Sequence, residues 1–309
     1  MVVVQMGTLV LGLLLSASLI TGLLKILKPQ QDFSQLWLRI RSWWLMAGFF
    51  FVSLLVNPHA ALIVFALLSF LALKEFFTLI HTRFEDHRAL LWSFLIIPLQ
   101  YWWVYVQWKA MIILFIPVYM FLFIPLRLIL VGQPKGIIDS MARIQWGLMA
   151  FVYCLSYLGF IMIMPATATT PGGGKALLLY LVFLTEMNDI AQYVFGKLFG
   201  RKKIVPTMSP NKTWAGFLGG FATTIALALA LRFLSGFSIP YSIAAGCIIS
   251  VAGFIGDVVI SAVKRDIGVK DSGNLIPGHG GILDRVDSLV YTAPLFFHFV
   301  NYFFYKLAW

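Results

Sequence analysis

Mainly apolar runs, most of them about 18 to 22 residues long and so able to cross a hydrocarbon core of roughly 30 Å, recur along the whole chain. Ten are legible: Val3 to Leu24, Trp43 to Val56, Ala60 to Leu73, Ala89 to Val106, Ala110 to Leu130, Trp146 to Met164, Ala176 to Phe195, Trp214 to Leu234, Tyr241 to Val263 and Leu289 to Tyr305. The second and third are short and share Asn57-Pro58, so they could form one re-entrant pair. A mean hydropathy of +0.90, with 28 Phe, 11 Tyr and 10 Trp, exceeds what a soluble core needs. The expected fold is therefore all-α: a polytopic integral membrane protein of about ten transmembrane helices.

The net charge of +11 takes its meaning from where the charges fall. All of the 23 Lys and Arg residues except Lys109, Lys175, Arg232 and Lys306 follow an odd-numbered run. Positive residues stay inside, so the loops after runs one, three, five, seven and nine are expected in the cytoplasm and both termini outside it, as in a bacterial inner membrane. Topology and contact with anionic lipids then explain the basic excess, and no nucleic-acid partner is expected. Val3 to Leu24 is not expected to be a cleaved signal, because its basic residues follow the apolar run instead of preceding it. Cys154 and Cys247 both fall inside runs and form no metal or disulfide framework.

Charge also divides the chain into 1–145, an N-terminal scaffold without charge deep in its apolar runs, and 146–309, where charge enters them. Glu186 and Asp189 lie inside run seven, three residues apart on one helix face. Asp257 lies inside run nine, with Ser261 one turn on and Lys264 beyond it. Each buried carboxylate costs about 2.5 to 3.5 kcal/mol at the centre of a membrane helix, so a partner or a function must offset it.

Two segments following these runs carry further chemistry. In "SPNKT", Ser209, Lys212 and Thr213 set two hydroxyls and an ammonium at the expected start of helix eight, where free N–H groups favour an anion. Gly216, Gly219 and Gly220 just beyond it let neighbouring helices approach closely. In "KRDIGVKDSGNLIPGHGGILDRVDS", Lys264, Arg265 and Lys270 precede Asp271, and the glycines around His279 precede Asp284, Arg285 and Asp287. Asp284 and Asp287 share a face if a helix starts there. Cations beside clustered carboxylates, with glycines that let backbone come close, suit a polyphosphate carrying a divalent metal.

Ser261, Lys264-Arg265, Lys270-Asp271, His279-Gly280-Gly281, Asp284-Arg285 and Asp287 together resemble the signature of the CDP-diacylglycerol synthase family, also called phosphatidate cytidylyltransferase. The family's Ser-Pro-x-Lys-Thr element is similar to Ser209 to Thr213, and its Gly-Asp to Gly256-Asp257. The resemblance implies transfer of CMP from CTP to phosphatidic acid, giving CDP-diacylglycerol and pyrophosphate. It implies a homodimer and Mg²⁺ held by Asp257 and Asp284, with a second, monovalent cation beside it. Lys264, Asp287 and His279 would join these two in catalysis. Lys212, Arg265, Lys270 and Arg285 would meet phosphates, and Ser209, Thr213, Ser261, Asp271 and Asp189 would line the substrates. One departure stands out: the family commonly continues the aspartate of run seven with a hydroxyl residue and an Ala-Tyr pair, whereas Asp189 is followed here by Ile190, Ala191, Gln192 and Tyr193. That change marks a divergent paralogue, and CTP-dependent transfer to another lipid acceptor is an alternative.

A cation- or proton-coupled secondary transporter is the rival class, since Glu186, Asp189 and Asp257 would suit ion coupling. It does not account for the glycine-rich segment, and no paired broken helices recur in two matching halves.

Overall fold

The computed structural model describes residues 2–305 except 29, 31, 274, 277 and 279. The chain begins with three helices, α1 (Val2–Leu27), α2 (Ser34–Val56) and α3 (Pro58–Leu79). Runs two and three each lie within a longer helix than their apolar stretch. Each is continued by less apolar residues into a helix of 23 or 22 residues, about 33 to 35 Å long, enough to cross a bilayer. Asn57 separates them in an extended conformation, its side chain accepting the His59 N–H at 2.9 Å, while Pro58 opens α3 where no N–H is needed.

A short 3₁₀ turn (Phe84–Asp86) leads into α4 (His87–Tyr105). The fifth rod is α5 (Lys109–Leu114) and α6 (Phe121–Ile129), joined through a π-helical stretch (Phe115–Met120) that contains Pro117, which has no N–H to give. The sixth is α7 (Ile137–Leu148) and α8 (Leu155–Met162), joined through a second such stretch, Met149–Cys154. Next come α9 (Gly173–Phe199), an antiparallel hairpin of β1 (Lys203–Val205) and β2 (Ser209–Thr213), and α10 (Trp214–Ala230). The one-turn α11 (Arg232–Ser235), the long α12 (Ile239–Asp266) and α13 (Leu283–Val300), which ends in a π turn, complete the chain.

Every one of the ten apolar runs lies on a helical rod, and among the described residues six rods are long and apolar enough to cross a membrane by length and composition. The protein is an all-α integral membrane protein with one small hairpin. Tyr157, Tyr180, Phe151, Phe296 and Phe297, fully buried, fill the centre between the rod that ends in α8, α9 and α13. Leu13, Leu19, Leu23 and Ile26 of α1 point outward, as expected of a helix that meets lipid. α9 and α10 touch along Gly216, Gly219 and Gly220, where an added Cβ would come within 2.6 Å of Gln192 or Phe195.

Candidate active site

Five pieces of chain meet around the signature: the start of α2, the second half of α9, β2, the end of α12, and the described residues of the loop 267–282 with the first turns of α13. They enclose a cavity of about 930 Å³. Asp189 from α9, Asp257 and Lys264 from α12, and Asp284, Arg285 and Asp287 from α13 all line it. Lys270 and Asp271 line it from the loop. Leu36, Ile40 and Trp43 of α2 and Ile190 and Tyr193 of α9 make an apolar wall. One cavity therefore joins cations, carboxylates and an apolar wall.

α12 and α13 come close because Gly256 has no side chain: a Cβ there would sit 2.4 Å from the Asp287 carbonyl oxygen. This contact sets Asp257 beside Asp287. Ser288 ties α13 to α9 and α12, its hydroxyl shared between Asp189 Oδ2 at 2.9 Å and the Gly253 carbonyl at 3.2 Å. The shared face expected for Asp257 and Ser261 is observed, with the Ser261 hydroxyl donating to Asp257 Oδ1 at 3.2 Å.

Lys212 reaches in from β2. Its ammonium lies 2.5 Å from Asp257 Oδ2 and donates to Gln192 Oε1 at 2.8 Å. Burial works against this charge, but Asp257 and Asp189 outweigh it and hold the ammonium's pKa above lysine's usual value. Lys264 pairs with Asp284 at 2.5 Å. Asp284 Oδ2 also accepts the Ser272 N–H at 3.1 Å, the Ser272 hydroxyl at 2.9 Å and the Gly281 N–H at 3.2 Å. Asp257 and Asp284 thus line one cavity, each matched to its own lysine.

Not every expected residue faces the cavity. Thr213 is the N-cap of α10, its hydroxyl accepting the Gly216 N–H at 3.1 Å, and it is buried against Gly196 and Gly200. Ser209 opens β2, so "SPNKT" is a strand whose last residue caps the helix, instead of the helix start its Ser-Pro implied. Arg265 is exposed and donates to the Val269 carbonyl. His279 lies outside the described residues.

Sequence reasoning missed what the first half contributes. Arg39 of α2 lines the cavity and donates through Nε to the Gly278 carbonyl at 3.1 Å, and Glu75 of α3 accepts the Ile282 N–H at 2.7 Å. The cavity therefore crosses the division drawn at residue 145. Glu75 and Arg39 sit at the edges of apolar runs, where charge reads as topology.

The donor set suits Mg²⁺, a hard cation that takes oxygen ligands and is commonly held by one or two carboxylates plus substrate phosphates. Among the described residues Asp189 Oδ1 is buried without a hydrogen-bond partner, and Asp287 lines the same cavity as Asp257 and Asp189. Among the described residues no three carboxylate, His or Cys side chains converge tightly enough to hold a metal alone. Phosphate oxygens would have to complete the shell.

A model of the cytidylyltransferase family matches residues 37–303. The chain belongs to the cytidylyltransferase family. It is a nucleotidyltransferase, and the match takes in the first half of the chain as well as the signature. Within the family, Escherichia coli K12 has a relative called "Uncharacterized protein YnbB", 43% identical over 292 residues that cover 94% of this chain and 96% of that protein. The phosphatidate cytidylyltransferases of Staphylococcus aureus (strain COL) and Staphylococcus haemolyticus are 37% and 35% identical over 158 residues. Those segments make up 50% of this chain and 61% of each staphylococcal protein, less than two thirds of their length.

Proposed function

We propose that this cytidylyltransferase moves CMP from CTP to phosphatidic acid, forming CDP-diacylglycerol for phospholipid synthesis and releasing pyrophosphate. The observation that carries the reading is the single cavity in which Lys264, Lys270 and Arg285 stand among Asp189, Asp257, Asp284 and Asp287 beside an apolar wall. An oxygen of the lipid phosphate forms a bond to the α-phosphorus of CTP as the bond to the bridging oxygen of the β-phosphate breaks. The acceptor is already an anion, so no side-chain nucleophile is required. The protein's work is alignment and charge stabilisation.

Lys264, Lys270 and Arg285 neutralise the triphosphate and its departing pyrophosphate. Lys212 balances Asp257 and Asp189 until a phosphate reaches it. Asp257 and Asp284 would hold Mg²⁺, with Asp189 and Asp287 offering further oxygens. Mg²⁺ held there would supply positive charge to offset that of the phosphates. The apolar wall takes the lipid's glyceride end.

The distribution of Lys and Arg supports ten spans, both termini outside and a site open to cytosolic CTP at a bacterial inner membrane. A homodimer is part of the same reading. A second reading, transfer to a different lipid phosphate, is favoured by the near full-length similarity to the uncharacterized Escherichia coli protein and by buried Gln192 on Lys212.

Purified protein in detergent with Mg²⁺, phosphatidic acid and α-labelled CTP should yield labelled lipid, whereas γ-labelled CTP should not. In sealed inverted vesicles containing the reconstituted protein, added CTP should serve; in right-side-out vesicles it should not. Label in lipid from the γ-position alone would identify a kinase and overturn the assignment.

A further inference from the structure

The signature segment is held from outside itself. Glu75, near the end of α3, sends its carboxylate to the residue that precedes α13, where Oε2 accepts the Ile282 N–H at 2.7 Å. Ile282 offers α13 no side-chain cap, so this carboxylate from a distant helix supplies both an acceptor for a free N–H and a negative charge at the helix N-terminus. The fit is close. A Cβ on Gly281 would fall 1.5 Å from Glu75 Oε1 and one on Gly273 would fall 3.2 Å from it, so the carboxylate occupies space that both glycines leave. Arg39 of α2 adds a second hold through the Gly278 carbonyl.

What Glu75 fixes is the setting of Asp284. The Gly281 N–H donates to Asp284 Oδ2 and neighbours the peptide that Glu75 grips, and α13 carries Asp284 and Asp287 in its first two turns. A shift at Ile282 would pass to both carboxylates. We infer that Glu75 is a positioning residue for the cavity: α3 sets the start of α13, and thereby the placement of Asp284 and Asp287 against Asp257, without touching the reacting groups. The activity arm of its test rests on the cytidyl-transfer reading. The exchange arm does not.

The measurement pairs kinetics with amide hydrogen exchange on the full-length protein. Glu75→Ala should lower kcat by about 10- to 100-fold, the usual cost of losing a supporting contact behind a site, with less change in KM for CTP. Peptides covering residues 281–286 should exchange faster, while those from α1, α4 and α9 stay as in the wild type. Glu75→Gln keeps an acceptor oxygen for the Ile282 N–H and should restore both the protection and most of kcat. Wild-type kcat with unchanged protection in Glu75→Ala would overturn the proposal, as would loss of protection across all helices, which would make Glu75 a residue of general stability. If the wild type itself transfers no CMP, exchange still decides: local deprotection reversed by Glu75→Gln upholds Glu75 while the transferase reading falls.

Discussion

Two acidic sites in this molecule, Asp86 before α4 and the group around Asp257, answer the same electrostatic problem in opposite ways. Asp86 is buried and closed. Its oxygens take the Arg83 guanidinium at 2.8 Å, the Arg83 N–H at 3.0 Å and the Ser140 hydroxyl from α7 at 2.8 Å. Burial pushes its pKa up, but Arg83 and Ser140 outweigh that and hold it below the usual carboxylate range. Around Asp257, one ammonium from Lys212 faces Asp257, Asp189 and Asp287, while Asp189 Oδ1 accepts no hydrogen bond among the described residues. A carboxylate satisfied within the chain ties elements together. Asp189 and Asp287, in no ion pair among the described residues and on the wall of a large cavity, are suited to a ligand that brings positive charge.

The largest loss of activity is expected from removing negative charge along the cavity. Asp284→Asn should reduce CMP transfer by at least about 10²-fold, the scale of losing a major electrostatic element, in protein that stays folded. Asp257→Asn combined with Asp284→Asn should cost little more than either change alone, because groups that act as a unit are not additive. If the two losses multiply, the carboxylates act separately. A smaller effect is expected at Lys270, which is exposed on the cavity rim and pairs with no carboxylate in the described residues. Lys270→Ala should raise KM for CTP and lower kcat, each by roughly tenfold, with normal yield of folded protein. An unchanged dependence on CTP would remove it from the nucleotide site.

How far the sequence foretold this depends on range. Apolar length predicts the rods well, because a helix must satisfy its own backbone in lipid and hydropathy records that need directly. It understated α2 and α3, whose ends run on through Ser34 to Ser42 and Lys74 to Leu79, where polar residues hide a continuing helix. The hairpin escaped notice because strands of three and five residues carry too short a period to see. At the site, the local spacing in α12 put Asp257 beside Ser261 as expected. The pairing of Lys212 with Asp257 and the reach of Glu75 to Ile282 are tertiary contacts between segments far apart in the chain, and no local pattern encodes them.

The central claim, that one buried acidic site serves architecture and the other serves chemistry, is tested most directly by measuring Tm and CMP transfer on the same detergent preparations of Asp86→Asn and Asp257→Asn. Asp86 has a folded pKa below its unfolded value of about 3.9, so its contribution to stability is present above that pH and fades as pH falls through the folded pKa. At neutral pH Asp86→Asn should therefore lower Tm, by an amount equivalent to about 2 kcal/mol, and the gap from wild type should narrow as the pH is brought below about 4. Its turnover per folded molecule should stay near wild type. Asp257→Asn should show the reverse, a Tm close to or above wild type with turnover down by about 10²-fold or more. An Asp257→Asn protein that melts early yet transfers CMP normally would contradict the account.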